Sequence, residues 1–218
     1  MRNSLSIAWV IVSGILFLFV NAGAMAAGSS ASGQTKAAAC MACHGQDGNS
    51  LADMWPKLAG QLPEYIVKQL QDFKAGRRSN EQMSPMAQPL TEQDMADLAA
   101  YFSSQKATPG EGKKELLAQG EKLFNKGRPQ ASVVIACVGC HGLGGSGNRQ
   151  WSKAYSNLPT VLAPAIGGQH PAYVVKQLKA FRDKERANDV GNTMRNIAGR
   201  LDDKEIAAVA EYIATLSY

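Results

Sequence analysis

The pattern of apolar and polar positions changes character once along the chain. Leu5 to Val20 is an almost unbroken apolar stretch carrying Ile7, Val10, Ile11, Ile15, Leu16, Phe17, Leu18 and Phe19. Beyond it, apolar residues recur at helical spacing. Ile206, Val209, Ile213 and Leu216 fall on one helix face, with Asp202 or Asp203 as the start signal. Thr91 with Asp94 makes a capping-box pattern ahead of Met95, Leu98 and Phe102. Tyr65 to Phe73 and Tyr173 to Phe181 predict two middle helices. The fold class read from this periodicity is all-α.

The apolar N-terminal stretch has the layout of an export signal. Arg2 supplies the positive end, and Ala24-Met25-Ala26 the small-x-small pattern read by signal peptidase, so residues 1–26 are expected to be removed. An uncleaved anchor is the other reading, because the stretch lies near the lower length limit for spanning a bilayer. Export places the four cysteines in an oxidising compartment, where two disulfides would be the default. Their spacing points elsewhere.

Cys40-Met41-Ala42-Cys43-His44 and Cys137-Val138-Gly139-Cys140-His141 are both C-x-x-C-H runs, the attachment signature of c-type haem. Two thiols add to the two haem vinyl groups, two intervening residues let one turn of chain bridge them, and the adjacent histidine ligates the iron. A thioredoxin-like redox pair would need a βαβ context, which is missing. An all-thiolate zinc site would leave both histidines without a role.

The motifs sit in two similar halves. Pro56 to Gln61 matches Pro164 to Gln169; Val67-Lys68-Gln69-Leu70 matches Val175-Lys176-Gln177-Leu178; Phe73 matches Phe181. Arg78-Ser79-Asn80 matches Arg186-Ala187-Asn188, and Leu98 to Phe102 aligns with Val209 to Ile213. This is tandem duplication of one domain, over 27–106 and 115–218, joined by a linker at 107–114 whose Pro109, Gly110, Gly112 and charges read as irregular chain. Units this small bury little apolar surface unaided, so each haem is expected to supply much of its core. Gly33 and Gly120 precede the two motifs; they are either sites of close crossing by the last helix, near Tyr101 and Tyr212, or ordinary loop glycines.

The sixth iron ligand separates electron transfer from small-molecule chemistry. The chain has three histidines, so two bis-His haems are impossible. His170 aligns with Leu62 and reads as a satisfied surface residue. Met194 is the only methionine after Met95 and thus the only thioether available to the second haem. In the first half, Met83 stands seven residues before Leu90, as Met194 stands before Leu201, whereas Met86 aligns with Ile197. Met83 is therefore the expected ligand and Met86 a packing residue; Met41 and Met54 read as core filler. His44 with Met83 and His141 with Met194 would close both axial sites. The carbonyls of Pro56 and Pro164 could accept from the Nδ1 atoms of His44 and His141, the second across a loop eleven residues longer; alternatively both prolines only shape turns. That loop, Gly142 to Ala163, holds Trp151 and Tyr155 and has no function readable from sequence.

With both C-x-x-C-H motifs, Gly48-Asn49-Ser50, the Pro56 to Gln61 run, Gly168-Gln169-His170 and Met83-Ser84-Pro85-Met86, the chain resembles the dihaem cytochrome c4 family. The resemblance implies two class I cytochrome c folds, each wrapped around a covalent haem c, meeting near a pseudo-twofold interface. It implies Cys40, Cys43, His44 and Met83 on one haem, and Cys137, Cys140, His141 and Met194 on the other. It further implies a periplasmic carrier between a quinol–cytochrome c reductase-type donor and a membrane terminal oxidase, either freely diffusing or loosely membrane-associated.

Charge adds one asymmetry to a net of +5. Residues 27–108 carry seven Lys or Arg against eight Asp or Glu, and 109–218 carry fifteen against ten. The second half is expected either to dock on an acidic patch of a redox partner or to be merely a solvated basic surface. No basic run interleaved with aromatics suggests nucleic acid. A haem enzyme would need an open axial site and acid–base groups, and a sensor would need an output domain; the sequence provides neither.

Overall fold

The computed structural model describes residues 27–129, 132–148 and 162–218. The expected signal segment, with Trp151 and Tyr155 of the long loop, lies outside them. Ten α-helices occur among the described residues: α1 Ser30–Lys36, α2 Ala38–His44, α3 Pro63–Lys74, α4 Met83–Ala87 and α5 Glu92–Ser103 in the first half, then α6 Lys114–Lys126, α7 Val138–His141, α8 Pro171–Arg182, α9 Thr193–Ala198 and α10 Asp203–Thr215. The order repeats from α6, as the sequence repeat requires, and among the described residues two isolated antiparallel bridges, Arg128 with Val134 and Asn148 with Ala163, and short 3-10 turns at Leu143–Gly145 and Val190–Asn192 stand beside the helices. No described helix is long and apolar enough to cross a membrane.

The helix starts follow their local chemistry. Thr91 caps α5 and Asp202 caps α10, each in a full capping box, with Asp94 and Glu205 as the returning side chains. Pro63 and Pro171 open α3 and α8, where a missing N–H costs nothing. In each half the first and last helices cross closely: α1 on α5, and α6 on α10. Glycine permits this. A Cβ on Gly33 would lie 2.0 Å from the Asp97 carbonyl oxygen and 2.7 Å from the Tyr101 Cβ; one on Gly120 would lie 2.1 Å from the Ala208 oxygen and 2.7 Å from the Tyr212 Cβ. The close-crossing reading of both glycines is correct.

Each half has its own apolar core. Ile66, Leu98, Ala99, Tyr101 and Phe102 gather in the first, with Met41 packed against them; Leu123, Phe124, Val174, Ile206, Val209 and Ile213 gather in the second. Two methionine expectations fail. Met54 is 65% exposed and Met86 42% exposed, so neither is core filler: Met54 lies in the irregular turn after Ser50, and Met86 projects from a helix of one turn.

The chain between α5 and α6 is irregular but tied down. Asn49 Oδ1 accepts from the Thr108 N–H and hydroxyl at 2.9 and 2.8 Å. Gly110 N–H donates to the Ala214 carbonyl at 2.8 Å, and Lys113 N–H to Glu211 Oε2 at 3.0 Å. The two halves then meet through matched glutamines. Gln61 exchanges two hydrogen bonds with the backbone of Ala165, at 2.8 and 2.9 Å, and Gln169 exchanges two with that of Lys57, both at 2.9 Å. Gln61 and Ala165 of one pair correspond by repeat to Gln169 and Lys57 of the other, so the contact has pseudo-twofold symmetry.

Candidate haem sites

Both C-x-x-C-H runs end short helices. Cys40 and Cys43 lie one turn apart on α2; Cys137 caps α7 and Cys140 lies within it. All four thiols are free rather than paired. Burial raises the Cys40 and Cys140 thiols above their ordinary range and pushes Cys137 up to about 11. An activated redox thiol is shifted the other way, which argues against a thioredoxin-type role for Cys40 and Cys137. Each helix stops immediately after its histidine at a glycine in the left-handed region, Gly45 (φ 80°) or Gly142 (φ 76°), which turns the chain sharply away.

The two histidines are held alike. His44 Nδ1 lies 2.8 Å from the Pro56 carbonyl oxygen and His141 Nδ1 lies 2.9 Å from that of Pro164. A carbonyl only accepts, so Nδ1 carries the proton and Nε2 keeps its lone pair. Burial lowers both imidazole pKa values, partly offset by these same bonds, and keeps the rings neutral, as metal ligation requires. The carbonyl also makes each imidazole a better donor. The prolines thus do more than shape turns. The residue after each one, Lys57 or Ala165, is the residue pinned by the other half's glutamine, so each carbonyl is fixed from across the interface.

The methionines occupy corresponding short helices. Met83 begins α4 and Met194 is second in α9; both are half-buried. Beside Met194, Thr193, Asn196 and Ile197 line a cavity of about 250 Å³ with Val133, Val134, Ile135 and Arg200. Free thiols one turn apart and a neutral imidazole with Nε2 available fit a covalently attached haem in each half.

His170 departs from the surface placement expected for it. Its side chain is 13% exposed and reaches across to the first half, with Nε2 2.9 Å from Ser50 Oγ and 3.0 Å from the Ser50 carbonyl, and Nδ1 3.4 Å from Asp53. It is satisfied by protein.

Sequence reasoning did not find the polar layer between the halves. Arg78 donates to Gln69, Gln177 and Tyr173; Arg186 donates to Gln177, Gln69 and Tyr65. Each guanidinium also stacks on its own half's phenylalanine, Phe73 at 4.6 Å and Phe181 at 4.5 Å. The available signal was the recurrence of Gln and Arg at the same repeat positions on otherwise amphipathic segments.

Two helical units, each presenting a cysteine pair and a carbonyl-locked histidine, define a tandem c-type cytochrome. The cytochrome c family profile matches residues 30–106 and 117–217. Cytochrome c4 of Thiocapsa roseopersicina is 49% identical over 191 residues, covering 87% of this chain and 94% of that protein. Cytochrome c4 of Pseudomonas aeruginosa is 46% identical over 209 residues, 95% of this chain and 98% of that protein. The crystal structure of reduced recombinant cytochrome c4 from Pseudomonas stutzeri superposes with a TM-score of 0.79 at 44% identity, covering 87% of this chain and all of that one. The chain belongs to the dihaem cytochrome c4 family and is an electron-transfer protein with two covalently attached haem c groups.

Proposed function

We propose that this chain is a periplasmic electron carrier, exported by residues 1–26, that accepts electrons from a quinol–cytochrome c reductase-type donor and delivers them to a membrane terminal oxidase. Residues 27–106 and 115–218 would each hold one haem, through Cys40 and Cys43 and through Cys137 and Cys140. His44 with Met83 and His141 with Met194 would be the axial pairs. The haems supply one-electron iron chemistry; the protein's part is to hold each iron unchanged between its two oxidation states. The locked imidazoles are the observation that carries this reading: a ring fixed by Nδ1–H to a carbonyl cannot swing when the iron changes charge, so little rearrangement opposes transfer. Met83 and Met194 would supply the remaining iron ligand in each half and leave no position for substrate, which supports a carrier rather than an enzyme. The basic second half would orient docking on an acidic partner surface.

The test is the absorption spectrum of the fully reduced protein before and after carbon monoxide. An unchanged spectrum is expected, because both sixth sites are closed. A shift in half of the haem signal would mean one open iron and would replace the carrier reading with a catalytic or sensing one.

A further inference from the structure

Asn80 and Asn188 occupy the same place in the two halves, two residues after the interface arginines, yet they bond in different directions. Asn80 turns back on its own segment: its Oδ1 accepts from the backbone N–H groups of Gln82 at 3.1 Å and Met83 at 2.9 Å, and its own N–H donates to Ser84 Oγ at 3.1 Å. Asn188 reaches into the other half. Its Nδ2 donates to Asp72 Oδ2 at 2.7 Å and to Gln69 Oε1 at 3.0 Å, and its backbone carbonyl accepts from Lys68 Nζ at 2.8 Å, while its Oδ1 accepts from Arg186 Nε of its own half at 3.0 Å.

Asp72 is 3% exposed. Burial opposes its ionisation, but bonds from Lys68, Arg77 and Asn188 outweigh this and keep it a carboxylate. The corresponding position in the second half is Ala180, so the arrangement has no mirror image. From Asn188 the contact continues to Met194. Asp189, the next residue, accepts from Arg195 N–H at 3.0 Å and Arg195 Nε at 2.7 Å, and Arg195 adjoins Met194. Between them, Gly191 (φ 64°) and Asn192 (φ 57°) both sit in the left-handed region, which glycine and asparagine adopt more readily than other residues and which turns the chain toward Met194.

We propose that Asp72 acts through Asn188 as a positioning residue for Met194 of the opposite half, so that the sixth ligand of the second haem is braced by the first domain while Met83 is braced by its own segment. This rests on Met83 and Met194 being the axial thioethers.

The experiment titrates the oxidised, doubly haem-loaded protein with imidazole and follows the Met–iron absorption band. Met83→Ala and Met194→Ala identify which half of the band belongs to which haem. In Asn188→Ala, and independently in Asp72→Leu, the Met194 half of the band should be displaced at about tenfold lower imidazole, on the scale of the Asn188–Asp72 hydrogen bond that both variants remove, with the Met83 half unmoved. Asn80→Ala should do the reverse. Asn188→Ala leaves Asp72 paired with Lys68 and Arg77 and is the milder variant, so the question stays answerable if Asp72→Leu folds poorly. Equal weakening of both halves of the band would show only a loosened interface and overturn the proposal, as would no change in either. A full band in Met194→Ala would instead remove the ligand assignment, and the proposal with it.

Discussion

The methionine segments of the two domains teach more than their haem motifs, which are nearly superimposable in chemistry. Around His44 and His141 everything recurs: a short helix, a glycine turn, a proline carbonyl at 2.8 or 2.9 Å, and a glutamine from the opposite half one residue on. Around Met83 and Met194 the short helix and the preceding arginine and asparagine recur, but their hydrogen bonds do not. One segment is closed by a single asparagine cap; the other runs through two left-handed residues and borrows support from Asp72 across the interface. Duplication has kept the side of each site that fixes the imidazole and let the other side diverge. The two reduction potentials are therefore expected to separate through their methionine sides.

Three perturbations would break or sharpen this contrast. Replacing Cys137 and Cys140 together by alanine should have the largest effect. Covalent haem should fall from two per chain to one, measured by alkaline pyridine haemochrome, and the core of Leu123, Phe124, Ile206 and Val209 should lose its cooperative unfolding. Retention of both haems would contradict the attachment sites.

The shared helix crossing comes next. Gly33→Ala and Gly120→Ala each force a methyl group onto a backbone oxygen at about 2 Å. Each should cost roughly 1–3 kcal/mol, as overpacking does, and the two should cost alike. Guanidinium unfolding followed at each haem would show it; a large inequality would mean that the divergence extends to the crossing.

The smallest effect concerns acid. Lys36 bonds Asp94 at 2.7 Å and Asp97 at 2.6 Å. Three residues after Gly120 the corresponding position is Leu123, and Asp97 corresponds to Ala208, so only the first domain has this ionic clamp. The Lys36 ammonium, with the Ser29 N–H and Gln93, lowers the Asp97 pKa to about 2. A depressed carboxylate pKa contributes stability that is complete above the unfolded value near 4 and lost as pH falls from there through about 2. The first domain should consequently yield before the second on acid titration, and Asp97→Asn should flatten its dependence over that interval. Earlier loss of the second domain would contradict the assignment.

How much of this was legible in the sequence depended on the range of the interaction. The C-x-x-C-H runs, the capping box at Thr91, the helix start at Asp202, the close glycines and the proline carbonyls are local or repeated signals, and the structure bears them out. The readings of Met54 and Met86, and the surface placement of His170 though not its being satisfied, failed because burial at those positions is set by what lies opposite in space. His170 is the clearest case: its partner, Ser50, is 120 residues away. The divergent tasks of Asn80 and Asn188 were invisible for a different reason. The letters are identical, and what distinguishes the two environments is the change from Asp72 to Ala180, at a position with no motif, and the three extra residues between Asn188 and Met194.

The paired glutamines have one further consequence. Gln61 on Ala165 and Gln169 on Lys57 form the self-complementary contact of an isologous homodimer, in which each subunit gives what it receives. Here both subunits are in one polypeptide, and the chain from Lys106 to Lys113 converts a bimolecular association into an internal one. Its effective concentration is then set by tether length rather than by expression level. Dilution that would part a true dimer leaves this pair together, and neither partner need stay identical to the other to be recognised. That release from symmetry is what allowed Asp72 to exist on one side alone.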